Sequence, residues 1–232
     1  MNKSLKELLK DYNLNNEEIE EISSVVEHIY NNDFFQERLS NNFYHHGKTT
    51  LGIHIIEDVI YTYKLSKRIN KKDFNLNLAL KIAMFHDLYT EPWQNNPKRY
   101  KFTNKHGFRH PVEAIINAYT YFKEDFNNLN EAKIIIDGVI HHMYPFPVII
   151  LNNDKINNRE LNNYDLFIKL PKEIKEIIYN STNRYKLFNL SWSKSKYLEG
   201  IIVKKADKKS SLKEFDNIFS IIALITGKNK SL

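Results

Sequence analysis

The sequence predicts an all-α protein built as a helical bundle, and three observations support this fold class. The 232 residues include only 6 Gly and 6 Pro, so few positions interrupt regular structure. Apolar residues recur three and four positions apart along most of the chain, which is the spacing of a helix face and leaves little room for strands. The composition, 42% hydrophobic and 27% charged, is typical of a globular chain that buries a core.

The first part of the chain predicts a helical lead-in followed by a long helix. Residues 1–40 carry two or three short charged helices, one of them capped by Asn15 or Asn16. A polar loop over 41–48 comes next, and the two threonines after it are good N-caps for a helix over 51–69.

The next predicted helix holds two polar residues where burial is costly. It covers 76–88 and is apolar on nearly all sides, so it belongs in the core. Its last turn contains His86 and Asp87, which need partners or a metal ion in such a position. A loop over 89–109 follows, and Pro111 is predicted at the first position of the next helix.

After residue 110, helices are predicted over 111–123, 131–142, 194–208 and 212–225, in addition to one within the segment 152–190. Asp207 lies near the end of the third of these helices. Residues 152–190 are rich in Asn and irregular, apart from a helix over 172–179, and are therefore predicted to form an insertion or a lid.

Composition excludes several classes of protein. No apolar run reaches the roughly 18 residues of a membrane-spanning helix, and residues 1–11 lack the apolar core of a signal peptide. Cys is absent, which removes disulfides and cysteine nucleophiles and fits a cytoplasmic protein. The net charge of +6 suits an anionic partner, although heavy use of Lys along the chain explains the charge equally well.

The nine histidines are clustered in the sequence. Apart from His28, they fall into three groups at loops and helix ends, namely His45, His46 and His54; His86, His106 and His110; and His141 and His142. A single histidine is ordinarily a hydrogen-bonded or surface imidazole, but groups on separate helices bind a metal where the fold brings them together. Imidazole and carboxylate ligands without thiolates suit Mn, Fe, Zn or Mg.

Five blocks of sequence occur in the order of the motifs of the HD-domain metallohydrolases, which are defined by a His, an adjacent His-Asp pair and a distant Asp. The blocks are HHGKTTLGIH (45–54), ALKIAMFHDLY (79–89), GFRHP (107–111), HHMYPF (141–146) and IIVKKADK (201–208). They resemble the consecutive motifs of uncharacterised bacterial HD hydrolases. The resemblance implies an all-α HD domain over 41–228, with 1–40 as its lead-in.

The resemblance also implies the metal ligands. A first ion would be held by four side chains, His54, His86, Asp87 and Asp207. Members of the family with two further histidines bind a second ion, here at His110 and His142, with Asp87 bridging both ions. His142 is chosen over His141 because the family's histidine directly precedes a Met-aromatic-Pro element.

The implied chemistry is hydrolysis of a phosphate ester, such as a nucleotide, by a metal-activated hydroxide. Two divalent ions, Mn, Fe, Co, Zn or Mg, would be the cofactors. Asp87 would neutralise and space the ions, and Asp207 would orient the attacking water. The sequence contains no Gly-x-Ser-x-Gly element and no Gly-rich phosphate loop that would favour another scheme.

An anionic substrate also needs polar and cationic side chains that orient it. The candidates for substrate binding are Arg109, Lys105, His46 and Lys48. His45 and His106 are further candidates for substrate contact. A role as solvated loop residues is equally consistent with the sequence for all of them.

Two other functions fit parts of the same pattern. One branch of the HD superfamily uses the same six ligands for a mixed-valence di-iron centre that oxidises small organic substrates. A non-enzymatic helical module that binds nucleic acid is the least favoured function, because aromatic residues are not interleaved with Lys and Arg. The nucleotidase branch carries Glu three residues after the HD aspartate, where this chain has Thr90 followed by Glu91, so the chain departs from that branch.

Overall fold

Helices dominate the chain, as the sequence predicts. A computed structural model describes residues 3–45, 49–70, 72–92, 106–151, 161–187 and 190–214. Within these ranges the helices are α1 (Leu5–Lys10), α2 (Asn16–Tyr30), α3 (Asp33–Arg38), α4 (Leu51–Ser66), α5 (Leu76–Phe85), α6 (His106–Tyr121), α7 (Leu129–Ile140), α8 (Tyr164–Lys169), α9 (Lys172–Thr182) and α10 (Leu198–Glu214), with a 3₁₀ turn at Lys123–Phe126. The predicted all-α class is confirmed.

A small antiparallel sheet is the only extended structure longer than a single bridge in the described ranges. Its three strands have two residues each, β1 (Val148–Ile149), β2 (Lys186–Leu187) and β3 (Leu190–Ser191). The strand order is β1-β3-β2, with Val148 opposite Ser191 and Lys186 opposite the same residue on the other side. This sheet and the helices α8 and α9 give the segment after α7 more regular structure than predicted for 152–190, although the helix predicted over 172–179 is confirmed within α9.

The helix starts follow from local side-chain caps. Asn15 accepts a hydrogen bond from the backbone N–H of Glu18, and the Glu18 side chain bonds back to Asn15, which confirms the predicted cap of α2. Thr50 caps α4 in the same way through the backbone N–H of Ile53. Asn75 accepts from Leu78 at the start of α5.

The core lies between α4, α5, α7 and α10, which pack against one another. The apolar residues of α5 from Leu78 to Phe85 are at most 3% exposed, which confirms the prediction that this helix is buried on nearly all sides. Leu5, Leu9 and Ile22 of the predicted lead-in belong to the same buried cluster, since α2 packs on α5. No helix in the described ranges is both long enough and apolar enough to cross a membrane.

Helix α6 begins five residues before Pro111, so the prediction that Pro111 opens the helix is wrong. Proline lacks the N–H that would bond to the carbonyl of Gly107, and the loss of one bond near the helix start is tolerated. Two contacts favour helical geometry before the proline. His110 Nδ1 donates to the carbonyl of His106 at 3.1 Å, and Arg109 pairs with Glu113 one turn later.

Helix α10 runs without a break through the position where a new helix was predicted at Leu212. Asp207 therefore lies in the middle of α10 rather than near a helix end. Ser210 and Ser211 are held inside this helix by hydrogen bonds with buried carboxylates, described below. The rest of the predicted closing helix lies outside the described residues.

Asp125 ties three elements together through a buried ion pair. Its carboxylate accepts from Lys81 Nζ of α5 at 2.8 Å and from His28 Nε2 of α2 at 2.9 Å. Burial favours the protonated form, but these two partners outweigh burial and hold the pKa of Asp125 below its ordinary value of 3.8. The ionised carboxylate therefore stabilises the fold.

Replacing Asp125 with Asn should lower the free energy of unfolding by about 1–3 kcal/mol at neutral pH, because Lys81 and His28 lose a charged partner. A carboxyl whose pKa is lower in the folded state stabilises above its unfolded pKa, and this stabilisation is lost as pH falls through the folded pKa. Urea unfolding of both proteins across pH checks this. A difference that stays constant below pH 3.8 would contradict the role of the charge.

Candidate metal centre

The six predicted metal ligands come from five elements and meet in one buried cluster. His54 lies in the first turns of α4, and His86 and Asp87 follow the last residue of α5. The other ligands are His110 in α6, His142 two residues after α7, and Asp207 in α10. Among the six, Asp207 is the most exposed, with 13% of its side-chain surface accessible.

Asp87 lies between two sets of histidines, with one carboxylate oxygen directed at each. Its Oδ1 is 3.2 Å from His110 Nε2 and 3.5 Å from His142 Nε2. Its Oδ2 is 3.7 Å from the Nε2 atoms of both His54 and His86. A carboxylate placed in this way can bridge two ions.

Three overlapping groups of candidate ligands occur in the described ranges. Two of them correspond to the two predicted ions, and the third consists of His45, His54 and Asp87. The first group consists of His54, Asp58, His86 and Asp207, and the second group of Asp87, His110 and His142. Within each group the candidate ligand atoms all lie within 4.8 Å of one another. Ligands that sit about 2.0–2.2 Å from one ion are separated by about 3–4 Å, so each group could hold a metal ion.

Backbone carbonyls fix which nitrogen of each histidine faces the cluster. The Nδ1–H of His86 donates to Ala83 at 2.7 Å, and that of His142 donates to Val139 at 2.7 Å. His110 uses the carbonyl of its own helix in the same way. Because a carbonyl only accepts, Nδ1 carries the proton and Nε2 presents a lone pair to the cluster.

Lone pairs consequently face one another at short range. The Nε2 atoms of His110 and His142 are 3.1 Å apart, and those of His54 and His86 are 3.4 Å apart. Two acceptor nitrogens at this separation repel unless a cation or a proton lies between them. The donor set and its geometry fit a divalent cation.

Two buried carboxylates of the cluster also have oxygen acceptors without donors among the described residues. Asp58 Oδ2 and Asp87 Oδ1 are buried and receive no hydrogen bond from any donor in the described ranges. Burial raises the pKa of Asp58 well above its ordinary value, and the neighbouring carboxylates act in the same direction against the opposing effect of His54. Burial acts in the same direction on Asp87, but His86 and His110 outweigh it and hold the pKa of Asp87 well below its usual range. Burial also lowers the pKa of His86 to about 4, which keeps this imidazole neutral, as a metal ligand must be.

Hydroxyl groups from α10 orient two of the carboxylates. Ser210 Oγ donates to Asp58 Oδ1, and Ser211 Oγ donates to Asp207 Oδ1 at 3.2 Å. Asp207 in turn lies 3.6 Å from His54 Nε2, a neighbour that helps to hold its pKa well below the ordinary value against the effect of burial. Outer partners of this kind fix the direction of metal ligands.

Two side chains hold the turn that carries His86 and Asp87. Arg38 of α3 is fully buried, and its Nη2 donates to the carbonyl of Tyr89 at 2.9 Å. Asn117 of α6 donates to the carbonyl of Leu88 at 2.6 Å. The predicted lead-in thus supplies a residue that positions the candidate metal centre.

The predicted substrate-binding residues are only partly described. Lys105, His46 and Lys48 lie outside the described residues. Arg109 is 1% exposed and lies 3.4 Å from Glu113, which also accepts from the backbone N–H of Asn162 at 2.8 Å. The structure places Arg109 in a buried ion pair rather than on a solvated loop.

Three further positions singled out in the sequence have defined partners. Thr90, where the nucleotidase branch has Glu, accepts a hydrogen bond from Asn117 Nδ2 at 3.2 Å. His106 stacks on the ring of His110 with 4.7 Å between centroids. His141 is absent from both ligand groups and lies 3.1 Å from Ser193 Oγ, and burial lowers its pKa to about 3.

Sequence reasoning missed Asp58 as a candidate ligand and assigned His45 only to substrate contact. Asp58 follows His54 by four residues on α4, so the helical repeat puts both on one face, and this spacing could have revealed it. His45 Nε2 lies 3.3 Å from Asp87 Oδ2, and its ring stacks on that of His54 at 3.7 Å. Its backbone N–H donates to Thr49 across the loop, a closure that no local pattern predicts.

Comparisons with known proteins give no family or relative from which the role of the centre could be inferred. A scan against protein-family models found no match, and searches of the curated proteins and of the solved structures found none. The buried cluster of His and Asp side chains is compatible with the ligand pattern of an HD domain. What the chain contains in the described ranges is a candidate metal centre in an all-α fold.

Proposed function

We propose that the protein is a metal-dependent phosphohydrolase of the HD type that binds two divalent ions and cleaves a small phosphate ester, such as a nucleotide. The observation that carries this proposal is the position of Asp87 between the two ligand groups, with one oxygen directed at each. A carboxylate in this position can bind two ions at once and balance part of their charge. Mn, Fe, Co, Zn and Mg all suit the imidazole and carboxylate ligands.

The residues of the cluster would have different roles in such a site. Two divalent ions, when bound, would lower the pKa of a shared water and polarise a phosphoryl oxygen. Asp87 neutralises part of the positive charge, and the backbone carbonyls keep the histidine Nε2 atoms directed inward. Asp207 is ionised and the most exposed of the ligands, and Ser211 fixes one of its oxygens, so it is suited to orient a water.

A basic edge beside the centre supports an anionic substrate. Lys204 lies one turn before Asp207 on α10, and its Nζ is 4.8 Å from the ring of Tyr144, two residues after His142. Partial burial lowers the pKa of Lys204, and so do the neighbouring charges of Lys208 and the other nearby lysines. Crowded ammonium groups of this kind gain from binding a phosphate.

The proposal is tested on protein purified without chelators and without a metal-affinity tag. Metal analysis is expected to find about two transition-metal ions per chain, and phosphate release is expected from a panel of phosphate esters and nucleotides with added Mn, Co, Mg or Fe. Two irons with oxygen-dependent turnover and no phosphate release would replace the hydrolase with the di-iron oxygenase. Protein that binds no metal and stays inactive with every metal would overturn both enzymatic proposals.

A further inference from the structure

Asp58 is a buried carboxylate for which the predicted set of six ligands has no role. Its side chain is fully buried, on the face of α4 that also carries His54. A fully buried carboxylate is costly to the fold unless it is paired with a cation or well hydrogen-bonded. The Asp58 carboxylate therefore needs a cation that the described protein atoms do not supply.

The two oxygens of Asp58 have different surroundings. Oδ1 accepts a hydrogen bond from Ser210 of α10, which fixes the plane of the carboxylate. Oδ2 accepts from no donor in the described part of the chain and lies 3.1 Å from His86 Nε2. The fixed oxygen thus aims the other one into the first group.

When Asp58 is ionised, as a metal ligand must be, no proton lies between Asp58 and His86 to make their short distance a hydrogen bond. His86 already donates its Nδ1–H to Ala83, so its Nε2 is a lone-pair acceptor facing another acceptor. A cation between them would turn this repulsion into two bonds. The remaining members of the first group, His54 and Asp207, lie within 4.8 Å of both atoms.

We propose that Asp58 is a direct ligand of the first metal ion, held in place by Ser210, and not an outer residue that supports other ligands. The inference rests on the proposed two-ion site and specifies it further. The first ion would then have four protein ligands besides the shared Asp87, whereas the second group supplies only Asp87, His110 and His142 among the described residues. With fewer protein ligands, the second site keeps more positions open for water or substrate than the first.

Unequal binding of the two ions follows from this difference. The first group carries the carboxylates of Asp58 and Asp207, while the second group shares only that of Asp87. More negative charge and more ligands favour tighter binding of a divalent ion. The first ion is therefore the tightly held one, and the second is the ion that exchanges and meets the substrate.

Titration of the metal-free full chain with Mn²⁺, with free Mn²⁺ followed by electron paramagnetic resonance, tests the assignment. The wild type should bind one Mn²⁺ tightly and one more weakly. Asp58→Asn keeps the shape of the side chain but removes its charge, and it should weaken the tight site by about 100-fold or more while the weak site persists. Ser210→Ala should weaken the same site by about 10-fold.

Glu57→Gln is the matched control. Glu57 directly precedes Asp58 on α4, but it lines a surface groove with Tyr12 and does not belong to the cluster. It should bind both ions as the wild type does. Thermal unfolding without metal checks that each variant folds, and Asp58→Ala replaces the Asn variant if that one does not. Unchanged affinity of both sites in the folded variant would overturn the assignment of Asp58 as a ligand.

Phosphate-release assays on the same samples separate this inference from the proposed function. Loss of the tight Mn²⁺ site in Asp58→Asn, with no phosphate release by the Mn²⁺-loaded wild type, would support the ligand and overturn the hydrolase. Phosphate release with unchanged Mn²⁺ binding by the variant would support the hydrolase and overturn the ligand. A wild type that binds no Mn²⁺ at all would overturn both.

Discussion

Replacing Asp87 with Asn is expected to remove the second ion, to weaken binding of the first, and to lower phosphate release by about 10³-fold or more. In the described ranges, Asp87 is the only carboxylate that lies within 3.7 Å of histidines from both groups. Asn keeps the size of the side chain but presents one oxygen and no charge. The second group would then have no carboxylate, and the first group would keep those of Asp58 and Asp207 without the shared charge between the two ions.

Metal analysis of the purified variant measures the first effect, and phosphate release under saturating Mn²⁺ measures the second. Glu57→Gln again serves as the control, since it removes a carboxylate that lies outside the cluster. An Asp87→Asn protein that keeps about two ions per chain and full activity would show that the histidine groups bind independently of Asp87. The bridging role would then be wrong, even if the protein is a hydrolase.

The sequence allowed correct predictions where a feature depends on a pattern of neighbouring residues. The apolar run of α5 predicted its burial, and the pair at its end, His86 and Asp87, marked the cluster because polar groups at a buried position need partners. Convergence of the other four ligands followed from the resemblance to HD hydrolases, because helical spacing alone does not tell which helix ends meet. The structure brings all six together.

Features that depend on tertiary contacts could not be predicted from the sequence. Arg109 was predicted to be a loop cation, because Pro111 led to a predicted helix start five residues too late. In the structure Arg109 lies in α6 and pairs with Glu113 one turn later. The spacing from His54 indicates the helix face of Asp58, but its contacts with His86 and Ser210 involve two other elements. A one-dimensional pattern cannot show a partner that lies 152 positions away.

The position of Asp207 depends on how closely α10 approaches α7. A Cβ atom added at Gly200 of α10 would lie 2.7 Å from the Cα of Gly138 in α7, and it would also meet the Oγ of Ser195. Since one obstacle is backbone, small side-chain movements cannot relieve the clash. The two helices can pack as they do only because position 200 is glycine, whereas a Cβ atom at Gly138 would meet Ile82 of α5.

Gly200→Ala is therefore expected to lower the free energy of unfolding by about 2–3 kcal/mol, in spite of the higher helix propensity of Ala. For a chain of this size the melting temperature should fall by about 4–10 °C. Gly107→Ala is the matched control, because its Cβ would meet nothing within 4 Å, and it should stabilise α6 by about 0.5–1 kcal/mol. Thermal and urea unfolding of the two metal-free variants measures both effects.

The same substitution should also weaken metal binding, because Asp207 lies two turns beyond Gly200 on α10 and reaches His54 at 3.6 Å only if the helix keeps its place. Mn²⁺ affinity of the folded Gly200→Ala protein should fall by about 10-fold, while Gly107→Ala should bind as the wild type does. If Gly200→Ala were as stable as Gly107→Ala, the close approach of α7 and α10 would be wrong. If it were unstable but bound Mn²⁺ normally, the position of Asp207 would not depend on that approach.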